Sequence, residues 1–275
     1  MKNFNTVCRR FFPAVQLAAV LLLGGAGAFP SFAQTAAAPR EAGTNDVSVF
    51  PGLDKLPGKP PPHVGNGLAG MWRRAHQQWQ RTAASDVGAV VFLGDSITQG
   101  WNSLSNDFPN LHVANRGIGG DITSGVLYRL DADVLSLNPA AIVLLIGTND
   151  AGDDAEAEDV ANNTKLILQA IKKFNPNLKV VVCKIMPRGE VSPQGAPPPL
   201  AAKIQKINSL VEDYVKSEPQ FAICDTWSAY ADANGAASVL NFQDDLLHLN
   251  PTGYTVWKAA LDPVLTRMHI AAPKP

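Results

Sequence analysis

The chain has 275 residues, of which 46% are hydrophobic and 17% charged, and this is typical of one globular domain with a sizeable core. A formal net charge of −1 excludes a strongly basic protein that binds nucleic acid or anionic membranes by charge alone. Three cysteines are too few for a disulfide-dense scaffold or a cysteine-rich zinc module.

Residues 1–33 have the pattern of a secretory signal peptide. Arg9 and Arg10 precede an apolar run over residues 17–29, and Ala33 supplies a small residue at the end of a cleavage motif. The run is too short to cross a bilayer as a helix, which needs about 20 residues. We therefore expect an exported protein, periplasmic or extracellular, that uses a Sec-type signal rather than a twin-arginine one. An uncleaved N-terminal anchor is the alternative.

Residues 34–66 contain six prolines and show neither helical nor strand periodicity. This composition predicts a linker, or a strap lying over the domain, and places one domain at residues 67–275. Two cysteines of that domain, Cys183 and Cys224, lie in apolar, strand-like runs. We interpret them as small buried hydrophobic residues, and a disulfide between them is the alternative in an oxidising compartment.

The domain alternates short apolar runs with amphipathic segments. The runs predict five strands, at 89–93, 111–114, 141–146, 180–185 and 221–224. The amphipathic segments predict helices at 68–83, 122–136, 155–174, 200–217 and 252–268. Apolar strands that alternate with helices indicate an α/β fold, with a five-stranded parallel sheet covered on both faces.

Three predicted strands are followed directly by glycine-rich polar motifs, at 94–100, 115–121 and 147–150. A fourth polar motif, at 244–251, stands near the end of the chain. Ligands of parallel sheets bind beyond the carboxyl ends of the strands, so the first three motifs should meet there. Each motif alone is weak evidence, whereas the four together, in this order, indicate one active site.

The residue types in these motifs fit nucleophilic acyl transfer. Ser96 follows the first strand in a turn that can expose its hydroxyl, and a serine hydroxyl needs a base to become a nucleophile. His248 is the candidate base, and Asp245 is placed to orient its imidazole. The motif around Ser96 lacks the second glycine of G-x-S-x-G, which argues against an α/β-hydrolase.

Acyl transfer also needs donors for the oxyanion of the tetrahedral intermediate. The backbone N–H groups of Ser96 and Gly120 and the side-chain amide of Asn149 are the candidates. Gly120 can bring its N–H close because it has no Cβ.

These motifs resemble those of the SGNH hydrolases, also called the GDSL esterase/lipase family. Residues 117–123, 127–130, 186–189 and 247–249 look most like the platelet-activating-factor acetylhydrolase branch and its bacterial relatives. The resemblance covers about 88–265 and implies a flavodoxin-like three-layer α/β/α sandwich, a preference for short acyl groups, and no metal or organic cofactor. It also implies functional roles for Ser96, Gly120, Asn149 and His248, with Asp245 completing a triad.

Four more residues are candidates for substrate contacts. Asp95, Trp101, Arg188 and Trp227 lie close to predicted strand ends. Each has an alternative role: helix capping for Asp95, a solvated surface position for Arg188, and core packing for the two tryptophans. The remaining histidines, among them His76, lack such companion motifs and are interpreted as surface or packing residues.

The sequence therefore predicts an exported serine esterase that cleaves short-chain esters, acetyl above all, through an acyl-enzyme. Its expected partners are small-molecule or glycan esters such as acetylated polysaccharides, with no nucleic acid and no stable membrane insertion after signal cleavage. Two alternatives are a lipid-directed acylhydrolase and a non-catalytic carbohydrate-binding module built on an esterase fold. No metal site is predicted, since acids crowded at 150–159 match no calcium-loop spacing and suit a helix N-terminus.

Overall fold

A computed structural model describes residues 69–153, 155–189, 195–196 and 198–271. The predicted signal peptide at 1–33 and the predicted linker at 34–66 lie outside these residues. No helix within the described ranges is long and apolar enough to cross a bilayer.

One parallel sheet of five strands forms the centre of the domain. The strands are β1 (Val90–Gly94), β2 (Val113–Gly117), β3 (Ala141–Leu145), β4 (Lys179–Cys183) and β5 (Phe221–Cys224). They are ordered β2-β1-β3-β4-β5, and every neighbouring pair is parallel. This order is that of a flavodoxin-like sheet, whose ligands bind at the switch point between β1 and β3. The α/β prediction is confirmed.

The helices lie in chain order around this sheet. They are α1 (Ala69–Thr82), α2 (Ser96–Gln99), α3 (Leu104–Asp107), α4 (Thr123–Asp133), α5 (Thr148–Gly152), α6 (Ala157–Phe174), α7 (Ala201–Lys216), α8 (Thr226–Tyr230) and α9 (Pro251–Arg267). Apolar side chains of α4, α6 and α7 cover one face of the sheet, and those of α9 with the α2–α3 region cover the other. The result is the three-layer sandwich that the resemblance implied.

The second strand differs most from its prediction. It was expected at 111–114 and lies at Val113–Gly117, where it pairs along β1 as far as Gly94. Its polar residues Asn115 and Arg116 interrupt the apolar run from which the strand was predicted. The structure accommodates Arg116 by burying its guanidinium against Asp86, with 2.7 Å between Nη2 and Oδ2.

Helix α1 is joined to α4 by an aromatic and ionic contact. Trp72 packs edge-on against Tyr128, and His76 Nδ1 lies 2.5 Å from Asp133 Oδ1. The hydrogen bond that the His76 ring donates to Asp133 raises the pKa of His76, although partial burial of the ring opposes this shift. The sequence motifs did not identify Asp133 as the partner of His76, because the two residues are 57 positions apart.

The two domain cysteines face each other across β4 and β5. Cys183 and Cys224 are in register, and both are free and buried. Burial raises the pKa of the Cys183 thiol well above its usual range, so the thiol is held in its neutral form.

Candidate active site

Ser96 is the first residue of α2, two residues after Gly94, which ends β1. The carboxylate of Asp95 caps α2 by accepting a hydrogen bond from the Ile97 N–H at 2.9 Å. Gly94 is packed so closely that a Cβ there would lie 2.3 Å from the Leu145 carbonyl oxygen. The turn therefore needs a glycine before it and a capping acid within it, and it leaves the Ser96 side chain half-buried at the sheet edge.

His248 reaches Ser96 from the segment between α8 and α9. Its Nε2 lies 2.8 Å from Ser96 Oγ, and its Nδ1 lies 2.5 Å from Asp245 Oδ2. The structure thus brings together three side chains that span 152 positions of sequence. A hydroxyl, an imidazole and a carboxylate in this order can pass a proton from the oxygen to the ring.

Asp245 is held by its own turn. Its Oδ1 accepts hydrogen bonds from the backbone N–H groups of Leu247 and His248, at 3.0 and 2.9 Å. Partial burial would raise the pKa of Asp245, but the hydrogen bonds from the His248 ring and from these two backbone groups lower it to about 2. The carboxylate is therefore ionised at neutral pH and can stabilise a protonated imidazole.

The segment that carries His248 is fastened to the domain by Asn250. Its side chain caps α9 by accepting from the Gly253 N–H at 3.0 Å, and its Nδ2 donates to the carbonyls of Leu240 and Phe242. Tyr254, in the first turn of α9, donates from its hydroxyl to the Ile97 carbonyl in α2. These bonds connect the base to the helix that carries Ser96.

The three predicted oxyanion donors follow β1, β2 and β3, which are neighbours in the sheet. Gly120 has a φ of +76°, a conformation that favours glycine. A Cβ on the preceding residue, Gly119, would lie 3.9 Å from Ser96 Cβ, so this turn passes directly beside the serine. Asn149 stands in the first turn of α5 and donates through Nδ2 to the Asp121 carbonyl at 2.8 Å. An amide nitrogen carries two hydrogens, so Asn149 retains a second donor.

Three buried carboxyl groups and one buried guanidinium lie beneath these turns. Asp121 Oδ2 accepts from Arg129 Nε at 2.7 Å, and Asp150 accepts from the backbone and hydroxyl of Thr123. Desolvation raises the pKa of Asp95 to about 7 and that of Asp150 to about 6, in spite of hydrogen bonds that lower both. The turns of the site therefore pack against buried acids whose charge state depends on pH.

Two candidate substrate contacts are contradicted by burial. Trp101 is 2% exposed and packs against Trp257 with ring centroids 4.8 Å apart, so it belongs to the core and lines no open pocket. Asp95 is 1% exposed and its carboxylate faces the α2 backbone, so it acts as the helix cap and not as a substrate contact.

The other two candidates differ in their distance from Ser96. Trp227 is on α8, which follows β5, and three strand spacings of about 4.8 Å each separate β5 from β1. It is not brought to the serine. Arg188 is half-buried and donates from Nη1 to the Thr148 carbonyl at 3.0 Å, next to Asn149. Arg188 therefore stays a candidate at the rim of the site.

Two residues beside the site were not predicted. Gln99 Oε1 accepts from the Gly119 N–H at 2.9 Å and fixes the turn that carries Gly120. Met71, on α1, comes within 3.0 Å of the position that a Gly119 Cβ would take. Gln99 lies inside the motif around Ser96, so its place beside the site could have been predicted. Met71 lies in no such motif. Within the described ranges, no group of three or more His, Cys, Asp or Glu side chains is arranged to hold a metal ion.

The chain is similar to known proteins in sequence and in fold. The family described as GDSL-like Lipase/Acylhydrolase matches residues 92–256. The platelet-activating factor acetylhydrolase IB subunit alpha1 of Bos taurus is 33% identical over 206 residues, which cover 72% of this chain and 84% of the relative. A crystal structure of a GDSL-like lipase from Bacteroides thetaiotaomicron has a TM-score of 0.58 at 24% identity, covering 70% of this chain and 98% of that one. An acetyl xylan esterase, AlAXEase, shares the fold with a TM-score of 0.55 at 23% identity, covering 64% and 98%.

Proposed function

Because the chain belongs to the GDSL-like lipase/acylhydrolase family and is a carboxylic ester hydrolase, we propose that it is an exported serine esterase specific for short acyl groups, acetyl above all. The observation that carries this proposal is the hydrogen-bonded chain from Asp245 through His248 to Ser96. Such a chain activates a serine hydroxyl without help from any group outside the protein.

In the first half of the reaction Ser96 Oγ attacks the ester carbonyl carbon and His248 Nε2 takes the hydroxyl proton. Asp245 accepts from Nδ1–H of the ring, keeps the correct tautomer and stabilises the imidazolium. His248 then gives its proton to the leaving alkoxide, and the acyl group remains on Ser96 as an ester.

In the second half a water molecule takes the place of the alcohol. His248 removes a proton from the water as it attacks the acyl carbon, and returns that proton to Ser96 Oγ as the acid leaves. During both halves the carbonyl oxygen carries negative charge. The N–H groups of Ser96 and Gly120 and the free Nδ2 hydrogen of Asn149 stabilise this oxyanion, and one such donor contributes about 2.7–4 kcal/mol in comparable enzymes.

The acetyl preference is supported by the similarity to an acetylhydrolase subunit at 33% identity. The name of that relative points to a lipid acetyl ester, whereas the predicted export of this chain points to acetylated polysaccharide outside the cell. Our proposal is the polysaccharide ester. Acetate release from acetylated xylan or pectin, compared with acetate release from an acetylated phospholipid and fatty-acid release from a lysophospholipid, separates the two.

Export is proposed on the sequence of residues 1–33 alone. Cleavage is expected before Gln34, so the N-terminal sequence of the protein recovered from the periplasm or medium should begin there. Full-length protein that stays in the cytoplasm would contradict this part of the proposal and leave the chemistry unaffected.

The central test is hydrolysis of p-nitrophenyl esters from acetate to decanoate. We expect the highest kcat/KM for acetate, and we expect Ser96→Ala to lower turnover by at least about a thousandfold in protein with an unchanged circular dichroism spectrum. Trp227→Phe serves as the matched control, since Trp227 lies away from the serine, and it should keep wild-type rates. Turnover that survives in Ser96→Ala would overturn the mechanism, and rates that rise toward decanoate would favour the lipid-directed alternative.

A further inference from the structure

Asp121 is connected, directly or through Arg129, to every chain segment that supplies an oxyanion donor. It directly follows Gly120, and its own N–H donates to the Ile118 carbonyl at 3.1 Å, which closes the turn around Gly120. Its backbone carbonyl accepts the Asn149 Nδ2 hydrogen at 2.8 Å. The donors that follow β2 and β3 are thus attached to the backbone of one residue.

The side chain of Asp121 extends this connection to the third segment through Arg129. Arg129 Nε donates to Asp121 Oδ2 at 2.7 Å, while Nη2 of the same guanidinium donates to the Gly94 carbonyl at 3.0 Å. Gly94 lies two residues before Ser96. Because the guanidinium is planar and rigid, it holds the end of β1 at a set distance from Asp121.

The ion pair of Asp121 and Arg129 lies in a closely packed interior that restricts its movement. The Arg129 side chain is fully buried and that of Asp121 is 2% exposed, and the Trp79 ring lies 5.5 Å from the guanidinium carbon. Desolvation raises the pKa of Asp121, but the charge and hydrogen bond of Arg129 oppose that shift. Buried ion pairs are weak contributors to stability compared with apolar packing, so a purely stabilising role explains this one poorly.

We propose that Asp121, through Arg129, is the positioning residue of the oxyanion hole and sets the separation of its three donors. This inference rests on the proposed function, since it assigns a role within that reaction. Donors must meet the oxyanion within a few tenths of an ångström, and a 1 Å misplacement costs about a hundredfold in rate. An ion pair shared by the three segments supplies that alignment before substrate arrives.

Asp121→Asn tests the proposal with almost no change in volume. Oδ1 of Asp121 accepts from the Ile122 N–H and Oδ2 from Arg129, so an amide in its place must turn its NH₂ toward one of two donors. We expect kcat for p-nitrophenyl acetate to fall about ten- to a hundredfold, with KM within about twofold of wild type. The inhibition constant of a methyl trifluoroketone, whose serine adduct carries the oxyanion, should weaken by the same factor as kcat/KM.

A matched control separates positioning from stability. Asp86→Asn breaks a partly buried Asp–Arg pair that Asp86, on the loop before β1, forms with Arg116. The Arg116 guanidinium lies over the same Trp79 ring as that of Arg129, but it donates to Asp86 and to the carbonyls of Asn115 and Asp133 and to no residue of the oxyanion turns. Asp86→Asn should lower the melting temperature comparably and leave kcat and the trifluoroketone inhibition constant unchanged. If both variants lower kcat equally, the Asp121 effect is one of stability and the proposal is wrong.

Arg129→Lys is the second variant, in case Asp121→Asn does not fold. It keeps the charge, but one ammonium group cannot reproduce the fork that reaches both Asp121 and Gly94. A smaller loss in kcat than for Asp121→Asn is expected, again matched by the inhibition constant. Wild-type kcat and inhibition in Arg129→Lys, with turnover that still depends on Ser96, would overturn this inference alone. Turnover that does not depend on Ser96 would overturn the proposed function and this inference with it.

Discussion

The residue before the proposed nucleophile is an acid that the fold keeps away from water. Asp95 is 1% exposed, and its Oδ2 is buried with no hydrogen-bond partner within the described part of the chain. Desolvation raises its pKa to about 7, the Ile97 N–H lowers it, and nearby Asp121 and Asp150 raise it further. The folded protein therefore keeps a proton on Asp95 that the unfolded chain, with an ordinary pKa of about 3.9, releases.

This difference predicts how stability depends on pH. Between about pH 4 and pH 7 the folded state binds the extra proton, so the free energy of unfolding falls as the pH rises through this window and levels off above it. Asp95→Asn keeps an acceptor for the Ile97 N–H and cannot ionise. Its melting temperature should change less than that of wild type between pH 4 and pH 7, by an amount worth a few kcal/mol at most.

Melting temperatures of both proteins across pH 4–8 measure this effect. Asp107→Asn is a suitable control, because Asp107 also accepts hydrogen bonds but lies on α3 toward the surface. Parallel curves for wild type and Asp95→Asn would mean that Asp95 is ionised in the folded protein throughout the range.

Among the elements, α1 adds a contact beside Ser96 from outside the residues that match the family. It precedes the matched residues 92–256, yet it brings Met71 against the Gly119 turn. A Cβ on Gly119 would lie 3.0 Å from Met71 Cε and 3.9 Å from Ser96 Cβ, so the thioether and the serine both lie beside Gly119. We expect an apolar side chain at this position to limit the length of the acyl chain that fits beside Ser96.

Met71→Ala should therefore widen the accepted range of esters. We expect the ratio of kcat/KM for butyrate over acetate to rise by at least about tenfold, since the fit of one methylene in a hydrophobic pocket is worth about 1–3 kcal/mol. The p-nitrophenyl series measures it directly. Gln77→Ala, at an exposed position of the same helix, should leave the ratio unchanged. An unchanged ratio in Met71→Ala would show that α1 does not limit the acyl chain.

At the scale of the whole molecule, the sequence predicts the features that depend on residues close together in the chain. Apolar runs locate four strands to within two residues, and the polar motifs after them identify Ser96, Gly120 and Asn149 as neighbours at one sheet edge. His248 and Asp245 are recognisable because they are three residues apart and stand in a motif.

What the sequence could not predict depends on strand order and on contacts between distant elements. Trp227 follows a strand as Ser96 does, but only the order β2-β1-β3-β4-β5 shows that β5 lies at the far edge. Trp101 follows α2 at the same edge as Ser96, and its burial depends on α9, which contributes Trp257 from 156 positions away. The contacts of Met71 with Gly119 and of His76 with Asp133 likewise join α1 to residues far along the chain.

The proposed triad is divided between two parts of the fold that differ in exposure. Ser96 follows β1, whose residues are all buried, whereas the side chains of His248 and Asp245 are 35% and 48% exposed on the segment before α9. Segments with few buried contacts open at lower free energy than the core. Phe242, Leu246 and Leu249 pack this segment into the core, whereas its residues 243–245 are exposed. We therefore expect the exposed part to open first and to detach the base from its acid while the sheet that carries the serine stays folded.

In urea, this arrangement should separate two transitions. Hydrolysis of p-nitrophenyl acetate should disappear at a lower urea concentration than the far-ultraviolet circular dichroism signal of the helices and the sheet. Coincident midpoints would instead mean that the segment unfolds with the sheet. If the midpoints separate, loss of activity is governed by about ten residues ahead of α9 and not by unfolding of the domain. Cross-linking that segment would then prolong activity without changing the melting temperature of the domain.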